Sequence, residues 1–114
     1  MPSFPWSRAM TANQTDDRPL SSWQYRRVLQ PSLVQVTQRS TTTGNRQTLY
    51  SGSQTIVQRA PVRSGGTAGV TPAPGFDAPV IEWIADAGDE LIVSNDEVSA
   101  GTPTVDGYVV VNPV

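Results

Sequence analysis

Carboxylates near the C-terminal end are the side chains of this sequence best suited to chemistry. Asp86, Asp89 and Glu90 lie within five positions, and Asp96 and Glu97 follow shortly after. Clustered carboxylate oxygens are the ligands that calcium prefers. The spacing does not match the calcium loop of EF-hands, which carries acids at alternate positions and a glycine at its sixth. Acidic turns of this kind are usually solvated, so we expect no bound metal.

The residue types that are missing argue against several classes of enzyme. The chain has no His and no Cys, and all of its basic residues are Arg. His is the commonest general base and a favoured zinc ligand, and Cys and Lys are frequent nucleophiles. A pair of carboxylates could hydrolyse a glycoside, but only in a cleft lined by aromatic residues, which this sequence does not predict. We therefore expect a non-enzymatic protein without a cofactor.

A short stretch that combines aromatic residues with arginine is the strongest candidate for binding. It contains Trp23, Tyr25, Arg26 and Arg27. Such a mixture can stack on single-stranded nucleic acid, and it is also typical of anchors in protein interfaces. The net charge of −2 disfavours nucleic acid, because affinity there depends on neutralising phosphates. We predict that these four residues bind a partner protein. The alternative is that Trp23 packs under the chain's own C-terminal sheet.

Charge divides the chain into two halves. All eight arginines lie between Arg8 and Arg63, where Asp16 and Asp17 are the only acids, so this part carries +6. Residues 64–114 contain eight acids and no arginine, which gives −8. The two halves are either solvated faces of one domain or oppositely charged surfaces that bind each other. In the second case a basic arm grips an acidic neighbour, or the acidic half of the next subunit.

Proline, glycine and β-branched residues divide the chain into four segments. Residues 1–31 are broken by prolines and predict an extended arm, with a short helix between Pro19 and Leu29. Residues 32–60 predict strands, including a hairpin that turns at residues 51–54. Residues 61–79 form a Pro/Gly linker. Residues 80–114 predict an antiparallel sheet.

This C-terminal segment has the clearest periodicity. Residues 80–85, 90–94 and 108–112 are rich in β-branched residues, and an Asp/Gly turn separates the first two runs. They predict three strands of one antiparallel meander. The expected fold class is mainly β: a small antiparallel β domain with an extended, largely irregular N-terminal arm.

Three features together resemble the small accessory proteins of tailed-bacteriophage virions. They are the polar, Cys-free region 37–50, the Pro/Gly linker and the sheet of residues 80–112. The resemblance is one of layout rather than of a motif. It implies a capsid decoration or cement protein that binds and bridges subunits of the major capsid protein. Arms of this composition order when they bind a partner.

Partners and location follow from the same resemblance. It implies contacts with the major capsid protein or other virion subunits, self-association, and a place in the virion after assembly in the host cytoplasm. No apolar run approaches a membrane span, and the first ten residues lack the apolar stretch of a signal peptide. The alternatives are a phage neck or tail component, a soluble ligand- or carbohydrate-binding β domain, and a nucleic-acid-binding protein with a basic arm.

Overall fold

All regular structure in the described part of the chain is β. A computed structural model describes residues 3–98 and 101–114, and no helix occurs in these ranges. The prediction of a mainly β fold is therefore confirmed. The strands are β1 (Ser3–Ala9), β2 (Ser32–Ser40), β3 (Asn45–Ser51), β4 (Gln54–Pro61), β5 (Ile81–Ala85), β6 (Leu91–Glu97) and β7 (Thr104–Pro113).

The strands form two antiparallel sheets that share one core. The four-stranded sheet has the order β1-β7-β2-β5, and the three-stranded sheet has the order β4-β3-β6. In each sheet one face points inward, because side chains alternate along a strand. Leu49 of β3 and Leu91 of β6 meet Val34, Val36 and Val109 of the larger sheet in the core.

The C-terminal strands were predicted at the right places but in the wrong sheet. The structure has β5, β6 and β7 close to the predicted ranges, but β6 belongs to the three-stranded sheet. The turn at residues 86–90 carries the chain from one sheet to the other. It therefore does not close a hairpin, and β2 lies between β5 and β7. A tight turn shows that the chain reverses, but not which strand becomes its hydrogen-bonded partner.

The hairpin predicted in the middle of the chain is confirmed. Strands β3 and β4 pair on either side of a two-residue turn, with Ser51 opposite Gln54. Gly52 has a φ of 61°, a left-handed conformation that glycine adopts without steric cost. Residues 62–79 contain no named strand, yet Val62 and Ala78 are buried against the domain.

The N-terminal segment belongs to the domain more closely than an extended arm would. Strand β1 pairs with β7 along its whole length. The helix predicted between Pro19 and Leu29 is wrong, because this stretch forms turns. The backbone of this stretch also forms hydrogen bonds with a distant part of the chain: the Leu91 amide donates to the Arg26 carbonyl at 2.6 Å. The apolar residues that suggested a helical face, Leu20, Trp23 and Val28, are nevertheless all buried in the core.

One part of the interior is polar. Gln38 of β2, Gln47 of β3 and Asn95 of β6 point inward and are almost fully buried. The Gln38 amide nitrogen donates to Gln47 Oε1 at 2.8 Å and to Asn95 Oδ1 at 3.2 Å. The Gln38 side-chain oxygen, Oε1, accepts from the Asn95 side-chain amide at 2.8 Å and from the Trp6 indole N–H at 3.2 Å. These bonds join the two sheets through side chains.

Candidate functional site

Trp23, one of the four residues predicted to bind a partner, lies in the chain's own core. Its side chain is only 6% exposed. It stacks on Phe4 with ring centroids 5.5 Å apart, and it meets Tyr25 edge-on at 6.1 Å. The alternative of intramolecular burial therefore describes Trp23, and its indole offers no surface to a partner. The physical reason is that β1 brings Phe4 beside it, which the local sequence does not reveal.

Tyr25 remains accessible and borders an apolar groove. Tyr25 is 53% exposed and Leu29 is 90% exposed. The groove has a volume of about 320 Å³ and is also lined by Val28, Val111 and Pro113. The loop after Trp23 thus meets the C-terminal end of β7. Clustered exposed apolar side chains are a common mark of protein-binding surfaces.

Arg26 and Arg27 are both held by the turn between β5 and β6. Arg26 Nε lies 3.2 Å from Glu90 Oε2, and Arg27 Nη2 lies 3.5 Å from Glu90 Oε1. Arg26 also donates to the Trp23 carbonyl at 3.0 Å, and Arg27 donates to the Gly88 carbonyl at 2.9 Å. The structure brings these two arginines together on the carboxylate of Glu90. Their side chains therefore hold the loop after Trp23 in place, while remaining partly exposed to solvent.

The two oppositely charged halves pair within one chain. Six of the eight arginines have an ion pair among the described residues. Four of these pairs join an arginine of the basic half to an acid of the acidic half, such as Arg39 with Asp77 and Arg59 with Asp96. The attraction that could have joined two subunits thus operates inside the fold.

The acidic turn that suggested calcium has internal partners. Asp89 Oδ2 accepts from the Ser51 hydroxyl at 2.8 Å and from the Asp86 amide at 3.1 Å. Glu90 holds the two arginines described above. Across residues 3–98 and 101–114, no three His, Cys, Asp or Glu side chains are grouped so that they could hold a metal ion. Asp89 thus shapes the crossover between the sheets.

A second surface, which the sequence analysis did not single out, is a polar cleft on the outer face of the three-stranded sheet. It has a volume of about 450 Å³. Tyr50 of β3 and Asp96 of β6 line its floor, with Arg59 of β4 beside them, and Asp16 and Arg18 form a wall. We call it the outer cleft. No local motif marks it, because its residues come from four separate parts of the chain.

One ion pair organises the polar groups of this wall, and a second, between Arg8 and Asp17, lies next to it in the chain outside the cleft. Arg18 Nε donates to Asp16 Oδ1 at 2.8 Å, and the Ser94 hydroxyl donates to the same oxygen at 2.6 Å. These two bonds hold the pKa of Asp16 below its ordinary value. Arg8 donates two hydrogen bonds to the buried Asp17, and these raise the pKa of the Arg8 guanidinium.

Comparisons with protein-family models, with curated proteins and with solved structures find no match to this chain. The described residues contain no helix long and apolar enough to cross a membrane.

Proposed function

We propose that the protein is a non-enzymatic virion structural protein. Its most specific form is a capsid decoration protein that binds and bridges subunits of the major capsid protein; a neck or tail component is the neighbouring alternative. The observation that carries the proposal is the apolar groove beside Tyr25 and Leu29. These two large side chains stay exposed although the chain has a core available to bury them.

The groove has the composition of a binding hot spot. Such sites centre on an aromatic anchor in an apolar setting, with polar residues at the rim. Here Tyr25 supplies the aromatic ring, Arg27 supplies the polar rim, and Glu90 keeps that arginine in place. Because Trp23 packs against Tyr25 from below, the anchor rests on a rigid support. Rigid anchors lose little conformational entropy on binding.

Cosedimentation with particles tests the proposal. Particles from a culture that produces this chain are separated on a density gradient, stripped of it, and incubated again with purified variants. We expect wild-type protein to rebind. Replacing a hot-spot residue costs about 2 kcal/mol or more, so Tyr25→Ala should weaken rebinding by about thirtyfold. Phe76→Ala is the matched control, because Phe76 is an aromatic residue, 85% exposed, that does not line the groove.

Two results would contradict the proposal. In the first, the chain never enters the particle fractions. In the second, it rebinds but Tyr25→Ala and Phe76→Ala bind equally well, so that the groove plays no part.

A further inference from the structure

The outer cleft combines two unusual backbone conformations. Asp16 and Arg59 have φ values of 54° and 50°, in the left-handed region that side chains other than glycine rarely adopt. Both residues line the cleft, and one carboxylate holds both. Asp96 Oδ1 accepts from the Asp16 amide at 2.7 Å, and Asp96 Oδ2 accepts from Arg59 Nη1 at 2.8 Å. Backbone strain of this kind persists where surrounding contacts enforce it, often at binding sites.

The pairing of β3 with β4 is irregular at the same place. The register shifts between Gln47 and Leu49, and again between Leu49 and Tyr50. The Arg59 amide donates to the Thr48 hydroxyl at 3.1 Å instead of continuing a regular ladder. A bulge redirects the side chains of the bulged strand. Here the guanidinium of Arg59 turns to the outer face of the sheet and toward Asp96.

The chemistry of the outer cleft is balanced rather than strongly charged. Two arginines and two aspartates line it, so its formal charge is zero. Several polar atoms at its surface make no hydrogen bond to the described residues: the Tyr50 hydroxyl, the terminal nitrogens of Arg18 and Asp16 Oδ2. Donors therefore stand beside acceptors, held in place by the ion pairs.

We propose that the outer cleft binds a neutral oligosaccharide. A sugar hydroxyl both donates and accepts a hydrogen bond, so it is best met by a donor and an acceptor side by side, as Arg18 and Asp16 are. The Tyr50 ring supplies an apolar surface for the C–H face of a pyranose. The cleft has a volume of about 450 Å³ and a mostly polar lining, which suits a ligand rich in hydroxyl groups. With two arginines and two aspartates in its lining, the cleft offers no net attraction to an anion or a cation.

Ligand-detected saturation-transfer NMR on the full chain tests this proposal. The probes are maltotriose, cellotriose, mannotriose, galactotriose and tri-N-acetylchitotriose, with trigalacturonate as the acidic comparator. At least one neutral trisaccharide should bind with a Kd of about 1 mM or tighter. Tyr50→Ala should weaken binding about tenfold by removing the ring, whereas Tyr50→Phe should keep most of it. Phe76→Ala is the control outside the cleft, because Phe76 is exposed and lines neither surface, and it should leave sugar binding unchanged.

Three outcomes would overturn the proposal. None of the neutral trisaccharides binds; trigalacturonate binds more tightly than all of them; or Tyr50→Ala and Phe76→Ala weaken binding equally. Thermal unfolding of each variant is measured alongside. Should Tyr50→Ala unfold, Arg18→Ala takes its place, because it removes the donor beside Asp16 and should also weaken sugar binding. The outer cleft and the apolar groove share no lining residue, so this result and the particle-binding result are independent.

Discussion

Replacing Gln38 by methionine should be among the most destabilising changes of a polar residue in this protein. Gln38 is 3% exposed, and its amide makes four hydrogen bonds to Trp6, Gln47 and Asn95. Methionine has a similar length but no hydrogen-bonding amide. Each lost bond costs about 1 kcal/mol net, and the partners stay buried, so we expect a loss of about 4 kcal/mol. A domain of this size has only about 5–15 kcal/mol of stability in total.

A double-mutant cycle with Asn95→Leu tests where this energy lies. Two of the four bonds join Gln38 to Asn95, so Asn95→Leu alone should cost about 2 kcal/mol. The double variant breaks the same four bonds as Gln38→Met, so it should cost about 4 kcal/mol rather than the additive 6 kcal/mol. The expected coupling is thus about 2 kcal/mol, within the range for contacting residues.

Urea unfolding, followed by tryptophan fluorescence and far-ultraviolet circular dichroism, measures these free energies. The emission also reports on the network directly, because the Trp6 indole loses its acceptor. Gln35→Met is the matched control: it lies on the same strand, and its amide reaches Glu82 at an exposed site. It should cost less than about 0.5 kcal/mol. Two results would contradict the role of the buried network in joining the sheets. In one, the free energy of unfolding of Gln38→Met lies within about 1 kcal/mol of wild type. In the other, the losses caused by Gln38→Met and Asn95→Leu are additive in the double variant.

Three further changes test other parts of the structure. Gly107→Ala should cost about 2 kcal/mol in chemical denaturation, because the new Cβ would lie 2.8 Å from the Trp6 ring and 2.6 Å from a backbone oxygen; an unchanged midpoint would contradict this packing. Trp23→Ala should lower the free energy of unfolding by about 3–5 kcal/mol, and a fully stable variant would return Trp23 to the role of surface anchor. Asp16→Asn should cost less than about 1 kcal/mol at neutral pH. The folded pKa of Asp16 lies below its ordinary 3.8, so the stability that its carboxylate contributes is complete above pH 3.8 and is lost as the pH falls through the folded pKa. The stabilities of Asp16→Asn and wild type should therefore converge in acid. A difference that stays constant with pH would refute the lowered pKa.

Local pattern was enough to predict the β class and most strand positions. The β-branched runs became β2, β5, β6 and β7, and the Ser-Gly turn became the β3–β4 hairpin. These features depend on propensities and on a period of two residues, which belong to the chain itself. The alternation of side chains along a strand also indicates which residues point inward. Gln38 follows Val34 and Val36 at even spacing, so its inward direction could have been predicted.

The remaining features depend on partners that are distant in sequence. The local sequence predicts Trp23 as a surface anchor, but β1 places Phe4 against it, and Phe4 lies 19 positions away in the chain. The outer cleft exists because Asp16 reaches Asp96 across 80 positions. Likewise, β6 joins β3 rather than β5, although only a short turn separates β5 from β6.

The sequence by itself thus determined that the β-branched stretches are extended and that the chain reverses between β3 and β4, because these preferences come from the residues concerned and their immediate neighbours. It did not reveal strand β1. Only the tertiary structure decided which strands pair, that Gln38 meets Asn95 in the interior, and that the opposite charges are paired within one chain. Each of these is a choice among competing long-range contacts. That choice is settled by burying apolar surface and satisfying polar groups over the whole domain at once.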